Sequence, residues 1–414
     1  MTIPKIRTLF ITKMSYPPVG GGQMRNWQNI NIMMNFGPVA VFSVFNEDSS
    51  NEAIEGVTIW HHYNVAKHAS LWLTLQRGIW WLRLLGLNDF WAYLQPAAAQ
   101  LNEIMKSFQP DIVIIEELWL YHYLSVVQNY QCRIIFDEHN VEASLFETIR
   151  CSVSSLRSWA RKKLHLPQIK FTENDLIRKS DQVWVCSDQD KTLLANLYGA
   201  IPHIYLVPNG INLKYYEPVR LGKCEPSRGL EKSQLNILFT GHFGYVPNSE
   251  AAELLINQIY PKIIKVYPDS RLLLVGRGAT QFMYDAAQQN SNIIVTGEVE
   301  DIRPYLAAAS VMVVPLYKGG GTRFKILEAF AAGCPVVSTT KGAEGLNAEN
   351  GVHLLLGDDA DSMTEAIAKL WLDRALQEKL ANNAYDLVQS KYSWEAVAEN
   401  IKLAIADLSK DMVA

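Results

Sequence analysis

Short β-branched runs alternate with helical stretches along this 414-residue chain, and the alternation occurs twice. That order constrains the fold more than any single motif, because strands separated by helices pair in parallel and leave the helices on both faces of the sheet. In the first half the expected strands are 6–11, 39–44, 111–115, 133–137 and 182–186. In the second half they are 236–240, 271–275, 292–295, 311–314 and 335–338. Between the halves, residues 217–234 (EPVRLGKCEPSRGLEKSQ) are charged, carry Pro and Gly, and lack apolar periodicity, which marks an interdomain linker. The expected chain is α/β, with Rossmann-like doubly wound domains at 1–216 and 235–393. Such sheets bind ligands at the carboxyl ends of their strands, so two of them facing each other would frame a central cleft.

Residues 315–339, PLYKGGGTRFKILEAFAAGCPVVST, join a triple-glycine turn to a short amphipathic helix, with Arg323, Lys325 and Glu328 at the junction. Gly319, Gly320 and Gly321 let backbone N–H groups approach a ligand closely, the helix start carries unpaired donors, and two cations flank it. A diphosphate suits that chemistry. The same residues also fit a plain strand, loop and helix on whose surface Lys325 and Glu328 merely pair. A second cluster, Gly20, Gly21 and Gly22, follows the first strand and precedes a helix, where it reads equally as a phosphate or sugar site and as a flexible turn. The strand at 133–137 delivers His139 near its carboxyl end, a usual position for active residues in a parallel sheet. A lone histidine is nonetheless more often structural. Asp188 and Asp190 form a literal DxD, yet Ser187 and Asp190 have capping-box spacing at a helix start, so no metal site is expected.

A formal net charge of -4 gives no basic field for nucleic acid, and five cysteines without a CxxC pair suit a reducing compartment. The N-terminal MTIPKIRTLFITK reads as a first strand rather than a signal peptide or anchor, so a cytoplasmic protein is expected.

The ordered set 20–22 (GGG), 137–142 (DEHNVE), 207–212 (VPNGIN), 240–248 (TGHFGYVPN), 272–278 (LLLVGRG), 296–302 (TGEVEDI) and the GGGTRFKILEA stretch resembles the retaining glycosyltransferases of the GT-B fold. More narrowly it is similar to family four, the group 1 glycosyl transferases, in their GGGTR-K-ILEA form. The resemblance spans nearly the whole chain and implies a closing helix at 394–414 that returns to the N-terminal domain. The apolar set Trp394, Val397, Ile401, Ile405 and Leu408 has the helical spacing for it. It further implies that Glu328 holds the ribose hydroxyls of a nucleotide sugar. Arg323, Lys325, Thr322 and the glycine amides would hold the diphosphate, and Val299 would meet the base. His242, Gly276 and Arg277 would line the donor site. Gly21 and Gly22 would line the diphosphate and acceptor side, with His139 near the transferred sugar. On this reading His139, Arg323 and Lys325 are the catalytic candidates, with no metal and no cofactor.

Two departures stand out. Gly320 occupies the place, eight positions before Glu328, where the family commonly has a second glutamate. His242 and Asn248 stand where two cations would open the C-terminal domain, so Arg323 and Lys325 relocate the charge. The implied activity is transfer of a hexose, with UDP-glucose or a related UDP-hexose as donor, to a glycan or lipid-linked acceptor in polysaccharide assembly. A nucleotide-sugar epimerase of the same architecture and an inactive binding protein are the alternatives. A nicotinamide dehydrogenase is excluded, because Gln281 stands where a dinucleotide fingerprint beginning at Gly276 needs its third glycine. The tryptophan-rich stretch 71–94 and the basic stretch 155–179 could lie against a membrane beside a lipid-linked acceptor. The preferred alternative for both is a packed core and a solvated basic face.

Overall fold

The computed structural model describes residues 5–18, 21–45, 54–65, 95–150, 156–231, 235–321 and 323–413. The segment 71–94 lies outside them, as do Gly20 and Thr322. The chain divides into two compact units, residues 1–208 with 398–414, and residues 209–397.

The first unit is built on seven parallel strands: β1 (Thr8–Thr12), β2 (Val39–Phe45), β3 (Ile59–Asn64), β4 (Ile112–Glu116), β5 (Arg133–Glu138), β6 (Gln182–Val185) and β7 (Ile204–Leu206). Their order is β3-β2-β1-β4-β5-β6-β7. Strands β1 and β4 are buried along their whole length, which follows from helices covering both faces and explains their continuous apolar runs. The direction of winding reverses between β1 and β4, so the loops after these two strands border the crevice where doubly wound sheets take ligands. The C-terminal helix Trp394–Val413 buries Val397, Ile401, Ile405 and Leu408 as its spacing requires, with Trp394 half-buried. Gln182 Nε2 donates to the Ala404 carbonyl at 2.7 Å, and Tyr205 bonds to Asp407, fastening this helix to the first unit.

The second unit has six parallel strands: β8 (Asn236–Thr240), β9 (Arg271–Val275), β10 (Ile293–Gly297), β11 (Val311–Val314), β12 (Val336–Ser338) and β13 (Leu355–Leu356). They are ordered β10-β9-β8-β11-β12-β13. Here the reversal falls between β8 and β11, which are followed in the chain by TGHFGYVPN and the triple-glycine turn respectively.

Of the expected linker, 217–234, the described residues 217–231 lie within the second unit. Its start lies in helix Leu213–Arg220, which packs on helix Phe324–Ala332, buries Tyr216 and Val219, and places the Arg220 guanidinium 3.3 Å from the centre of the Tyr385 ring. Further on, Leu230 is buried and Ser227 N donates to the Pro304 carbonyl. These anchors are too far apart in sequence to read as a periodic pattern.

A pH-dependent stability is built into the first unit. Glu138 at the end of β5 is buried beside Glu173, whose carboxylate takes the Tyr198 hydroxyl. Burial, then the proximity of Glu173, pushes the Glu138 carboxyl well above its ordinary value. Because the unfolded chain releases this proton near the ordinary value and the folded chain keeps it, stability is full in mild acid and falls as pH rises toward the folded titration. Glu138→Gln is therefore expected to gain Tm relative to the wild type as pH rises above the ordinary carboxylate titration, with its largest relative gain at the alkaline end. Parallel Tm curves for the two proteins would contradict this.

Candidate active site

Two groups of the candidate residues form, one in each unit. In the second unit they gather at the carboxyl ends of β8, β9, β10 and β11. Gly276, just after β9, passes so close to the β8 loop that a Cβ there would lie 2.0 Å from the Gly241 carbonyl oxygen, so only glycine allows this approach. His242 lies against Gly244 and Gly278, and its carbonyl accepts from Asn248 Nδ2 at 2.9 Å. Phe243 N donates to the Arg277 carbonyl at 2.9 Å, tying the two loops together. Val299 follows β10 and packs its partly buried side chain against the second core.

The triple-glycine turn follows β11. Gly319 has φ 107°, and a Cβ on it would meet both terminal nitrogens of Arg323 and the Tyr245 hydroxyl at 3.2 Å. Arg323 is the N-cap of helix Phe324–Ala332 and is only 8% exposed. Its Nη1 donates to the Gly320 carbonyl, while Nε and Nη2 have no hydrogen-bond partner among the described residues. Burial lowers its pKa. Lys325 Nζ donates to Asn248 Oδ1 at 2.8 Å and sits 4.3 Å from the centre of the Phe239 ring. The Lys325 ammonium thus lies beside Asn248, in the loop that follows β8. Burial, then Arg323, pushes the Lys325 ammonium down to about 7. Among the described residues, neither cation forms an ion pair with a carboxylate. Three residues beyond Lys325, Glu328 Oε1 accepts from the Tyr216 hydroxyl at 2.9 Å. Burial raises the Glu328 carboxyl, opposed by that hydrogen bond and by Lys325.

Chemically this is a cationic turn with free donors, a helix start, and a carboxylate about one helical turn away that can accept hydroxyls. A buried guanidinium with unused donors is costly unless an anion completes it. Tyr216 was not anticipated from sequence, since neither of the two tyrosines that end VPNGINLKYY carries a signal until the fold sets Tyr216 opposite Glu328.

In the first unit, helix Gly21–Met33 presents an unusual buried polar face: Arg25, Asn26, Gln28 and Asn29. Arg25 binds Asp137 through both Nε, at 3.1 Å, and Nη2, and its Nη1 donates to the Val207 carbonyl at 2.6 Å. Asn29 Nδ2 donates to Asp137 Oδ2 at 2.8 Å. Burial alone would raise the Asp137 carboxyl, but Arg25 and His139 together hold the group below the usual carboxylate range. His139 Nε2 lies 3.5 Å from Asp137 Oδ2, and a Cβ on Gly22 would lie 3.8 Å from His139 Nδ1, so the glycine loop and the histidine do meet. Gly21 opens the helix beside them. The DxD forms a helix cap: Ser187 Oγ accepts from Asp190 N at 3.1 Å and donates to Asp190 Oδ2 at 2.6 Å. On helix Leu156–Lys179, Trp159, Leu164 and Phe171 are exposed alongside Lys162 and Lys163. No helix of the described residues is long and apolar enough to cross a membrane.

Comparison with known proteins agrees across both units. The family model for Glycosyltransferase Family 4 matches residues 61–215, and that for Glycosyl transferases group 1 matches residues 234–373. A curated relative from Corynebacterium glutamicum, a GDP-mannose-dependent phosphatidylinositol monomannoside mannosyltransferase, is 24% identical over 216 residues, 49% of this chain and 56% of that protein. The chain aligns with about half the length of the curated relatives it matches. Among solved structures, sucrose-phosphate synthase from Thermosynechococcus elongatus has a TM-score of 0.74 at 17% identity, covering 98% of this chain and 100% of that one. Anabaena HepE, solved in complex with UDP and glucose, has a TM-score of 0.66 at 14% identity, covering 97% of this chain and 99% of that one. These likenesses establish the two-domain GT-B architecture, and with a glycosyltransferase model matched on each half, the chain belongs to the glycosyltransferases of the group 1 and family four type.

Proposed function

We propose that this protein transfers a hexose from a UDP-sugar, UDP-glucose or a close relative, to a glycan or lipid-linked acceptor during polysaccharide assembly, with retention of configuration and without a metal or cofactor. The observation that carries this reading is the buried Arg323 with two unused nitrogens beside Lys325, which are donors waiting for a polyanion. A diphosphate leaving group gains negative charge as the glycosidic bond breaks, so donors fixed at that place favour the transition state over the ground state. In this reading Arg323, Lys325 and the amides of Gly319, Gly320 and Gly321, with Thr322, hold the diphosphate. Glu328 holds the ribose, Val299 meets the base, and His242, Gly276 and Arg277 line the donor site. Gly21, Gly22 and His139 of the first unit serve the sugar and the acceptor. The choice of UDP leans on the solved HepE complexes with UDP and UDP-glucose. The mannosyltransferase relative makes GDP-mannose the donor to test against it. A cytoplasmic protein that touches a membrane peripherally through helix Leu156–Lys179 and the 71–94 segment accords with a lipid-linked acceptor.

Donor binding should draw in a proton. With its ammonium near 7, Lys325 is ~90% neutral at about pH 8, and a bound diphosphate restores its charge. Titration of UDP-glucose in buffers of different ionisation enthalpy is expected to reveal uptake approaching a whole proton at about pH 8, little at about pH 6, and none in Lys325→Met. A buffer-independent enthalpy at the higher pH would contradict the assignment of Lys325.

A further inference from the structure

One residue at the crevice of the first unit is held in a backbone conformation that its side chain opposes. Glu117 follows β4 directly and has φ 74° and ψ 143°, a region populated almost only by glycine. Its N–H is fixed to the Asp137 carbonyl at 3.1 Å, so the neighbouring strand enforces this geometry. Glu117 is also the N-cap of the 3₁₀ helix Leu118–Tyr123, yet its side chain makes no capping hydrogen bond. The carboxylate instead turns to Lys13, which follows β1: Lys13 Nζ lies 3.3 Å from Glu117 Oε2. Its other oxygen, Oε1, is 3.8 Å from His139 Nδ1. Lys13 and Glu117 thus come from the two strands between which the sheet reverses, where ligands of such sheets collect. Both remain open to solvent, with side-chain exposures of 15% and 20%.

A structural ion pair is a poor account of this arrangement. A partly exposed Lys–Glu pair contributes little, less than a residue forced into a glycine-only conformation forfeits, and glycine at 117 would build the same turn without strain. A carboxylate and an ammonium side by side are the complement of a vicinal diol. One hydroxyl donates to the carboxylate and the next accepts from the ammonium.

We propose that Lys13 and Glu117, with His139 beside them, form a subsite in the first unit for two adjacent hydroxyls of the acceptor carbohydrate. This rests on the glycosyltransferase reading above. The test uses methyl α-glucoside and methyl α-mannoside as probes, with saturation-transfer NMR on the full-length protein. The wild type is expected to transfer saturation to at least one of them. Glu117→Gln and Glu117→Gly are each expected to weaken that binding about tenfold, the loss of one charge-assisted hydrogen bond. Glu117→Gly is further expected to keep or raise Tm, because glycine relieves the strain. A fall in Tm for Glu117→Gly with unchanged glycoside binding would make the residue structural and overturn the proposal, as would absence of glycoside binding to the wild type. UDP binding, measured on the same samples, tests the second unit independently. It should be unchanged in both variants, and its absence in the wild type would sink the donor assignment while glycoside binding still upheld this subsite.

Discussion

Arg323→Met is expected to remove nearly all turnover while leaving the protein as stable as before or more stable. The side chain is 8% exposed, donates only to the Gly320 carbonyl, and has no carboxylate partner among the described residues. In the absence of ligand it is a desolvated charge that the fold must carry, and replacing such a charge by an apolar side chain of similar volume is often neutral or stabilising. With the donor bound, the same guanidinium faces the charge that develops on the leaving diphosphate. One fixed donor at such a place is typically worth about 3 kcal/mol, or roughly a hundredfold or more in rate. Arg323→Lys should recover only part of this, since an ammonium lacks the planar fork that grips two phosphate oxygens. The checks are kcat/KM with UDP-glucose and Tm on the same preparations. A variant that lost stability and activity together would point to a structural arginine instead.

The second large effect lies in the first unit. Arg25→Met and Asp137→Ala are each expected to cost about 3–5 kcal/mol of folding stability, because each leaves the other member of the pair charged and buried. Arg25 is 1% exposed and Asp137 is fully buried, so water cannot substitute for the missing partner. The loss should be strongly non-additive, with the double variant Arg25→Met/Asp137→Ala milder than the sum of the single changes. The pair also sets an acid limit. Asp137 is held below its ordinary value, so the stability it contributes is present above the unfolded carboxylate's titration and is lost as pH falls through the folded one. Urea denaturation of the three variants at neutral and acid pH decides the matter. Additive, small losses would mean that the pair is a passenger on the helix Gly21–Met33.

Much of this architecture is legible in the chain because its central strands are covered on both faces. The runs at 236–240, 271–275 and 311–314 coincide with β8, β9 and β11, since a strand buried on both sides must be apolar throughout. The strands that escaped notice are at or near the edges. β3 (IWHHYN) is half-exposed with polar aromatics, β7 is a three-residue strand with no buried position, and β13 is a single pair of leucines. For the candidate site, the triple-glycine turn and DEHN could be picked out because glycine and charge at strand ends are local signals. The partners of those residues could not. Tyr216 reaches Glu328 across 112 positions of sequence, and Arg25 reaches Asp137 across the same span, contacts that exist only once the sheet is assembled. Glu117 escaped for a different reason. Its information lies in a backbone angle rather than in its residue type.

The proposed function depends on where the second unit holds a nucleotide pyrophosphate. A structure of the protein with UDP bound is predicted to place the phosphate oxygens within hydrogen-bond distance of Arg323 and Lys325, against the amides of the glycine turn, and the ribose hydroxyls on Glu328. A pyrophosphate seated elsewhere, with Nε and Nη2 of Arg323 still unused, would contradict it.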